Sequence, residues 1–228
     1  MTIATPINKE RLRNHLTYSG WKYLLLVIAS IFVWNLVYAQ TAYRSPQDKR
    51  IDVYIKSGTT TTELVNAFLE PIWKKSVPEM EIVDSVLLLD SSDYSAAMQL
   101  TVYLGAGEGD IYILPMDDYR GFASSGAFVE LEGLVADGSI NAEGIDLSAG
   151  YVQVAIDSDE EGYAVYGDET HLYGIPTDSL YGFLEGMQID NRGRIMCINV
   201  NNGNDENVIP FFNALLQAVR SDKPWPLE

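Results

Sequence analysis

Residues Trp21 to Ala39 read WKYLLLVIASIFVWNLVYA, and no other apolar run in this chain reaches membrane length. After Lys22 the run carries no charge and one strongly polar residue, Asn35. At a rise of 1.5 Å per residue, about 20 residues cross a hydrocarbon core, so a transmembrane helix is predicted over 21–39. Trp21 and Tyr23 at one end, and Trp34, Tyr38 and Tyr43 at the other, are placed like interfacial belts. Lys9, Arg11, Arg13 and Lys22 stand near its start against one acid, Glu10, a bias that puts the N-terminus in the cytoplasm. The expected location is therefore the cell membrane, single-pass, with the main domain extracytoplasmic from about residue 44. A cleaved signal peptide is the chief alternative, because Val37-Tyr38-Ala39 would serve as a small-residue cleavage site. The length of the run and of its leader favours a retained anchor, and a buried core helix is the third reading.

Charge bounds the partners. The chain holds 15 Lys+Arg and 32 Asp+Glu, a net charge of −17. The first 43 residues contain four of those bases and one acid, leaving 11 bases, 31 acids and a net −20. Such a charge disfavours nucleic acid and anionic lipid head groups. It suits a solvated domain outside a cell, and about 185 residues are enough for one real core. The lone cysteine, Cys197, lies in the apolar stretch IMCINV, where a small buried core residue is expected. It does not follow the apolar run, so lipoprotein anchoring is not expected, and one cysteine makes no internal disulfide.

The organisation follows from periodicity. Residues 1–20 form a basic leader, 21–39 the span, 40–50 a polar stalk and 51–228 the extracytoplasmic domain. IDVYIK alternates as a strand. Leu64, Val65, Phe68, Ile72 and Trp73 recur at helical spacing after a capping threonine near 60, with Pro71 expected to bend or shorten the helix. MEIVDSVLLL reads as a second strand, and SSDYSAAMQLTVYLG as a second helix capped by Ser91 or Ser92 and closed near Gly105. DIYILP is a third strand and MDDYRGFASSG a short third helix. Strands linked by helical crossovers of this length lie parallel in one sheet. Residues 151–176 alternate as a hairpin about the acidic turn DSDEEG. RIMCINV is a late strand, NNGN a turn, and DENVIPFFNALLQAVR a final helix capped by Asn204 or Asp205. The fold class is α/β, a mainly parallel sheet flanked by helices.

These segments, in this order, resemble a known family. IDVYIKSGTTTTELVNAFLEPIWKKSVPEMEI is similar to the opening of bacterial extracellular solute-binding proteins of ABC importers. DYSAAMQLTVYLGAGEGDIYILP is similar to their next unit, a helix, a Gly-rich turn, then an aspartate opening a strand that ends in proline. Gly126-Ala127-Phe128 with Leu131, Tyr173-Gly174-Ile175-Pro176 and DENVIPFFNALLQAV resemble later landmarks of the same family. The resemblance implies a solute-binding lobe and a role in transport. Two departures qualify it. Only 17 residues separate Pro176 from Arg194, where the family's second lobe would begin, so a single lobe is expected. The family's lipid-bearing cysteine is replaced by a membrane span. One lobe supplies one wall of a cleft and cannot bury most of a ligand's surface.

Other chemistry finds little support. Gly105-Ala106-Gly107-Glu108-Gly109 follows a helix and lacks the third glycine of a dinucleotide fingerprint at its spacing, so it reads as a helix-to-strand turn. Asp157 to Gly162 resembles half of an EF-hand loop with Asp168 at position 12, but flanking strands make it a solvated hairpin turn. Asp168-Glu169-x-His171 is one histidine beside two acids, common by chance in so acidic a chain, and no metal or cofactor is expected. No Gly-x-Ser-x-Gly elbow is present, so no enzyme is expected.

In an open parallel sheet, ligands sit beyond the carboxyl ends of the strands. This nominates Ser57, Thr59, Ser92, Asp93, Tyr94, Met116 and Asp117, and the resemblance adds Asp178 and Tyr181. Helix capping alone also accounts for many of these residue types. The expected function is a membrane-tethered extracytoplasmic binding or accessory protein. It would contact a small solute weakly, or a permease or other membrane protein, with the lipid bilayer met through 21–39. The alternative is a structural protein–protein interaction module whose former ligand face has become an interface.

Overall fold

The computed structural model describes residues 8–41, 45–91, 94–158, 164–201 and 205–220. The chain divides into two units, Met1–Arg44 and Ser45–Glu228. In the first, helix α1 runs unbroken over Lys9–Thr41, 33 residues. Its segment Thr17–Thr41 is long and apolar enough to cross a membrane. Leu24, Ile28, Phe32, Trp34 and Leu36 are exposed along it, so the helix is not a buried core element.

The second unit is an α/β fold. A 3₁₀ turn at Gln47–Lys49 leads into β1 (Arg50–Lys56), followed by α2 (Thr62–Ser76), β2 (Ile82–Leu88), α3 (Tyr94–Gly105), β3 (Ile111–Pro115) and α4 (Met116–Ser124). The strand–helix alternation expected over 51–125 is present. After α5 (Glu132–Ala136) come β4 (Tyr151–Ser158) and β5 (Ala164–Leu172), then β6 (Gly174–Pro176), α6 (Gly182–Met187), β7 (Arg194–Ile198) and α7 (Asp205–Ala218). The main sheet has the order β2-β1-β3-β7-β6. β1 pairs in parallel with β2 and β3, while β7 runs antiparallel to β3 and β6. Four strands thus share a direction and β7 opposes them. β4 and β5 form a separate antiparallel hairpin, whose acidic turn, residues 159–163, lies outside the described residues.

The period-2 alternation of the strands splits the core into two layers. Ile51, Val53, Ile55, Ile111, Ile113, Met196 and Ile198 face α2, α6 and α7 through Val65, Leu69, Phe183, Phe211, Phe212 and Leu215. Tyr54, Tyr112, Leu114, Ile195 and Cys197 face the other way, toward Leu100 and Leu104 of α3 and Tyr119 and Ala123 of α4. Each large side chain so buried contributes about 1.5–3 kcal/mol of transfer free energy.

Of the bend or shortening expected at Pro71, the shortening does not occur, and the helix continues to Ser76. The ring sits on an exposed position, while Val65, Leu69, Ile72 and Trp73 hold the inward face against the core on both sides of it. That burial offsets the lost hydrogen bond and the clash that proline brings. The stretch between Pro176 and Arg194 also folds, as α6. Gly182 is essential there, since a Cβ on it would lie 2.6 Å from the Val219 backbone. Thr61 caps α2, accepting from the Leu64 N–H at 3.4 Å. Ser92, nominated as a cap of α3, and Asn204, nominated for α7, lie outside the described residues.

Candidate functional site

β1, β2, β3 and β6 all end at one rim of the sheet, and β7 begins there. The register sets this out: Lys56 pairs with Leu88, Pro115 with Arg194, and Pro176 with Ile195. The rim is interlocked by side chains and loops. Lys56 lies in the sheet with its side chain 8% exposed, and its Nζ meets Asp118 Oδ2 of α4 at 2.8 Å. Arg194 donates to the Lys56 carbonyl and stands 3.4 Å from Asp90 Oδ2. Lys56 and Arg194 are thus each met by an acid of the same rim.

The loops are stitched as tightly. Thr177 Oγ1 donates to the Asn191 carbonyl at 2.6 Å, and Asn191 Nδ2 returns bonds to the carbonyls of Thr177 and Asp178 at 3.0 and 2.7 Å. Both Thr177 and Asn191 are buried, which satisfies polar groups that would be costly alone. Arg192 grips Asp190 through two bonds, at 2.9 and 2.7 Å, and holds its carboxyl down at about 2.

Most of the nominated residues gather here. Ser57 is buried, its Oγ 3.2 Å from Thr59 Oγ1. Thr59 donates onward to the Gln188 carbonyl at 2.7 Å, tying the end of β1 to the end of α6. Met116 N–H donates to the Gly193 carbonyl at 2.9 Å, and Gly193 N–H donates to Asp178 Oδ1 at 3.0 Å, so these two nominated positions flank one glycine. Asp117 is exposed in the first turn of α4. Tyr94 opens α3 with 79% of its surface exposed. Tyr181 is half-buried at the start of α6. Ser92 and Asp93 lie outside the described residues. Lys56, Asp118, Asn191 and Arg194 were missed. The available signal was a basic residue closing the alternating IDVYIK and another opening RIMCINV.

The opposite rim, at the strand starts, has the reverse character. A cavity of about 250 Å³ is lined by Arg50, Asp52, Tyr54, Glu108 and Asp110. The buried Asp110 accepts the Asp52 N–H at 2.6 Å. Burial pushes its carboxyl up to about 7, against the pull of that hydrogen bond. Gly109 fits only as glycine, at φ +77° with a would-be Cβ 2.4 Å from the Tyr54 ring. This closes the Gly105–Gly109 segment as a helix-to-strand turn between α3 and β3.

A third feature lies near neither rim nomination. His171 does not gather Asp168 about it. Instead Glu130 and Glu132 approach its Nδ1, and the three donor atoms lie within 4.8 Å of one another. Glu130 and Glu132 were not singled out in the sequence, because about 40 residues separate them from His171.

No protein-family profile matches the chain, and no curated protein matches it. Among solved structures it is similar to an extracellular solute-binding protein of family 1 from Alicyclobacillus acidocaldarius, at 19% identity and a TM-score of 0.40, over 59% of this chain and 29% of that one. It is similar to an N-glycan transport solute-binding protein of Streptococcus pneumoniae, at 18% identity and 0.39, over 58% and 26%. It is also similar to the GacH receptor of Streptomyces glaucescens, at 17% identity and 0.36, over 56% and 28%. The chain therefore spans under a third of the length of these proteins.

Proposed function

We propose that this chain is an extracytoplasmic binding or accessory protein, held at the membrane by residues 21–39, that uses the strand-end rim as its contact face. The observation that carries the reading is the convergence of four strand ends at one rim, where Tyr94, Asp117 and Asp178 stand exposed in the segments that follow the strands while Lys56 and Arg194 are internally paired. An aromatic face beside carboxylates suits a small hydroxyl-rich solute, which can stack on the ring and donate to the acids. The rim segments 57–60, 89–94, 115–118, 177–181 and 188–194 contain neither histidine nor cysteine, which favours binding over nucleophilic catalysis. A single wall gives weak capture, so solute contact is shallow.

A second reading, a protein-interaction module, draws on the rim's self-neutralised charges and on the burial of Ser57. Thermal unfolding of the full-length chain in lipid nanodiscs, against sugars, amino acids and short peptides, separates the two. The first reading expects one solute class to raise the midpoint in a dose-dependent way, a stabilisation of about 2.7 kcal/mol at 100 times its dissociation constant, with the rise lost in Tyr94→Ala. Absence of any shift, with a photocrosslinker at position 94 capturing a membrane protein, selects the second. Trypsin applied to intact cells is expected to cut beyond residue 44; protection there would overturn the anchoring.

A further inference from the structure

The Glu130, Glu132 and His171 cluster belongs to neither rim, and its His–carboxylate separations are longer than those of a close charge-assisted pair. His171 ends the exposed part of β5, next to the buried Leu172. Leu131 N–H donates to the Leu172 carbonyl at 2.7 Å, and Leu131 is itself fully buried. This pairing pins the chain so that Glu130 and Glu132, either side of Leu131, both reach His171. Nδ1 lies 3.7 Å from Glu130 Oε1 and 3.4 Å from Glu132 Oε2. Charge-assisted N–H···O bonds close to about 2.7–2.9 Å, well inside these separations. Donors held at about 2.1 Å from one tetrahedral ion stand about 3.4 Å from one another. The two His–carboxylate spacings are of the length of such an edge, and all three donor atoms lie within 4.8 Å of one another.

The other ring nitrogen supplies an independent clue. His171 Nε2 faces Glu169 Oε2 at 3.9 Å. A metal-ligating histidine characteristically presents its second N–H to a carboxylate, which fixes the tautomer and leaves the first nitrogen's lone pair for the metal. In that tautomer Nδ1 offers its lone pair beside two carboxylates, a donor set that one cation would satisfy.

We propose that Glu130, Glu132 and His171 form a site for one divalent transition-metal ion of the zinc class, with Glu169 as a positioning residue. The nitrogen donor selects against calcium and magnesium, which take oxygen ligands. Three protein ligands leave a fourth position to water or to a group from outside the chain. The ion would clamp the 129–132 segment to the end of β5.

The test is calorimetric titration of the metal-stripped full-length chain in detergent with Zn²⁺, and in parallel with Co²⁺ read by its visible absorption. We expect one saturable site, the strong absorption of tetrahedral Co²⁺, and no comparable site for Mg²⁺. His171→Ala and the double variant Glu130→Gln/Glu132→Gln should abolish both signals while circular dichroism stays that of the parent. Glu169→Gln should weaken Zn²⁺ at least tenfold without removing the absorption. Failure of the parent to bind saturably, or undiminished binding by a folded His171→Ala, overturns the site.

Discussion

The two rims of the main sheet bury opposite charges and neutralise them differently. At the strand ends, Lys56 and Arg194 are cations set into the sheet, each answered by an acid, Asp118 or Asp90. At the strand starts, the buried group is an acid, Asp110, met chiefly by a backbone N–H. A buried charge beside an opposite charge stays charged, whereas one left to a single hydrogen bond moves toward its neutral form. The first rim is therefore held by ion pairs, and the second by a carboxyl poised near neutrality. The contrast says where the molecule tolerates change. The strand-end rim fails when a partner is removed, and the strand-start rim responds to protons.

The largest break in that contrast comes at Lys56. Asp118→Ala leaves the Lys56 ammonium buried and unanswered, and we expect a loss of about 3 kcal/mol in urea unfolding. Adding Lys56→Met to it should recover most of that loss, because the uncompensated charge goes. Next comes Asp110. Its folded carboxyl titrates at about 7 against 3.8 ordinarily, so the folded state holds the proton more tightly. The resulting stabilisation is full below about pH 4, falls as pH rises toward 7 and is absent above it. Asp110→Asn should flatten that limb of the stability–pH curve and exceed the parent by about 2 kcal/mol at pH 8. A curve of unchanged slope between pH 4 and 7 would remove Asp110 from the account. The smallest effect sharpens the rim's stitching. Thr59→Val deletes the bond to the Gln188 carbonyl and should cost about 1 kcal/mol in the same unfolding experiment.

The sequence carried local order far better than long-range company. The strand at 50–56 alternates and those at 82–88 and 111–115 are short apolar runs between helical segments, so their parallel pairing followed from crossover length. The length of α2 was not legible at Pro71 because a proline's effect is local, while the burial that carries the helix past it comes from elements distant in the chain. α6 was invisible because six residues carry too little periodicity, and its place depends on Gly182 meeting Val219. The rim could be named from topology, yet the pairing of Lys56 with Asp118 across 62 residues could not. His171 drew attention to its neighbours in sequence, and the fold supplied Glu130 and Glu132 from elsewhere.

Cys197, the chain's one cysteine, sits fully buried in β7 with its Sγ 3.6 Å from the Tyr112 carbonyl, and burial raises its thiol well above the ordinary range. Thiol reagents act on accessible thiolates, so the native protein is chemically silent toward maleimides and nitroxide labels. Any cysteine introduced at the surface becomes the sole attachment point without a prior cysteine-free background. Tyr94→Cys would put a spin or fluorescent reporter on the rim, and Ile156→Cys would put one on the hairpin. The distance between such reporters could then be followed as solutes, metal ions or membrane proteins are added.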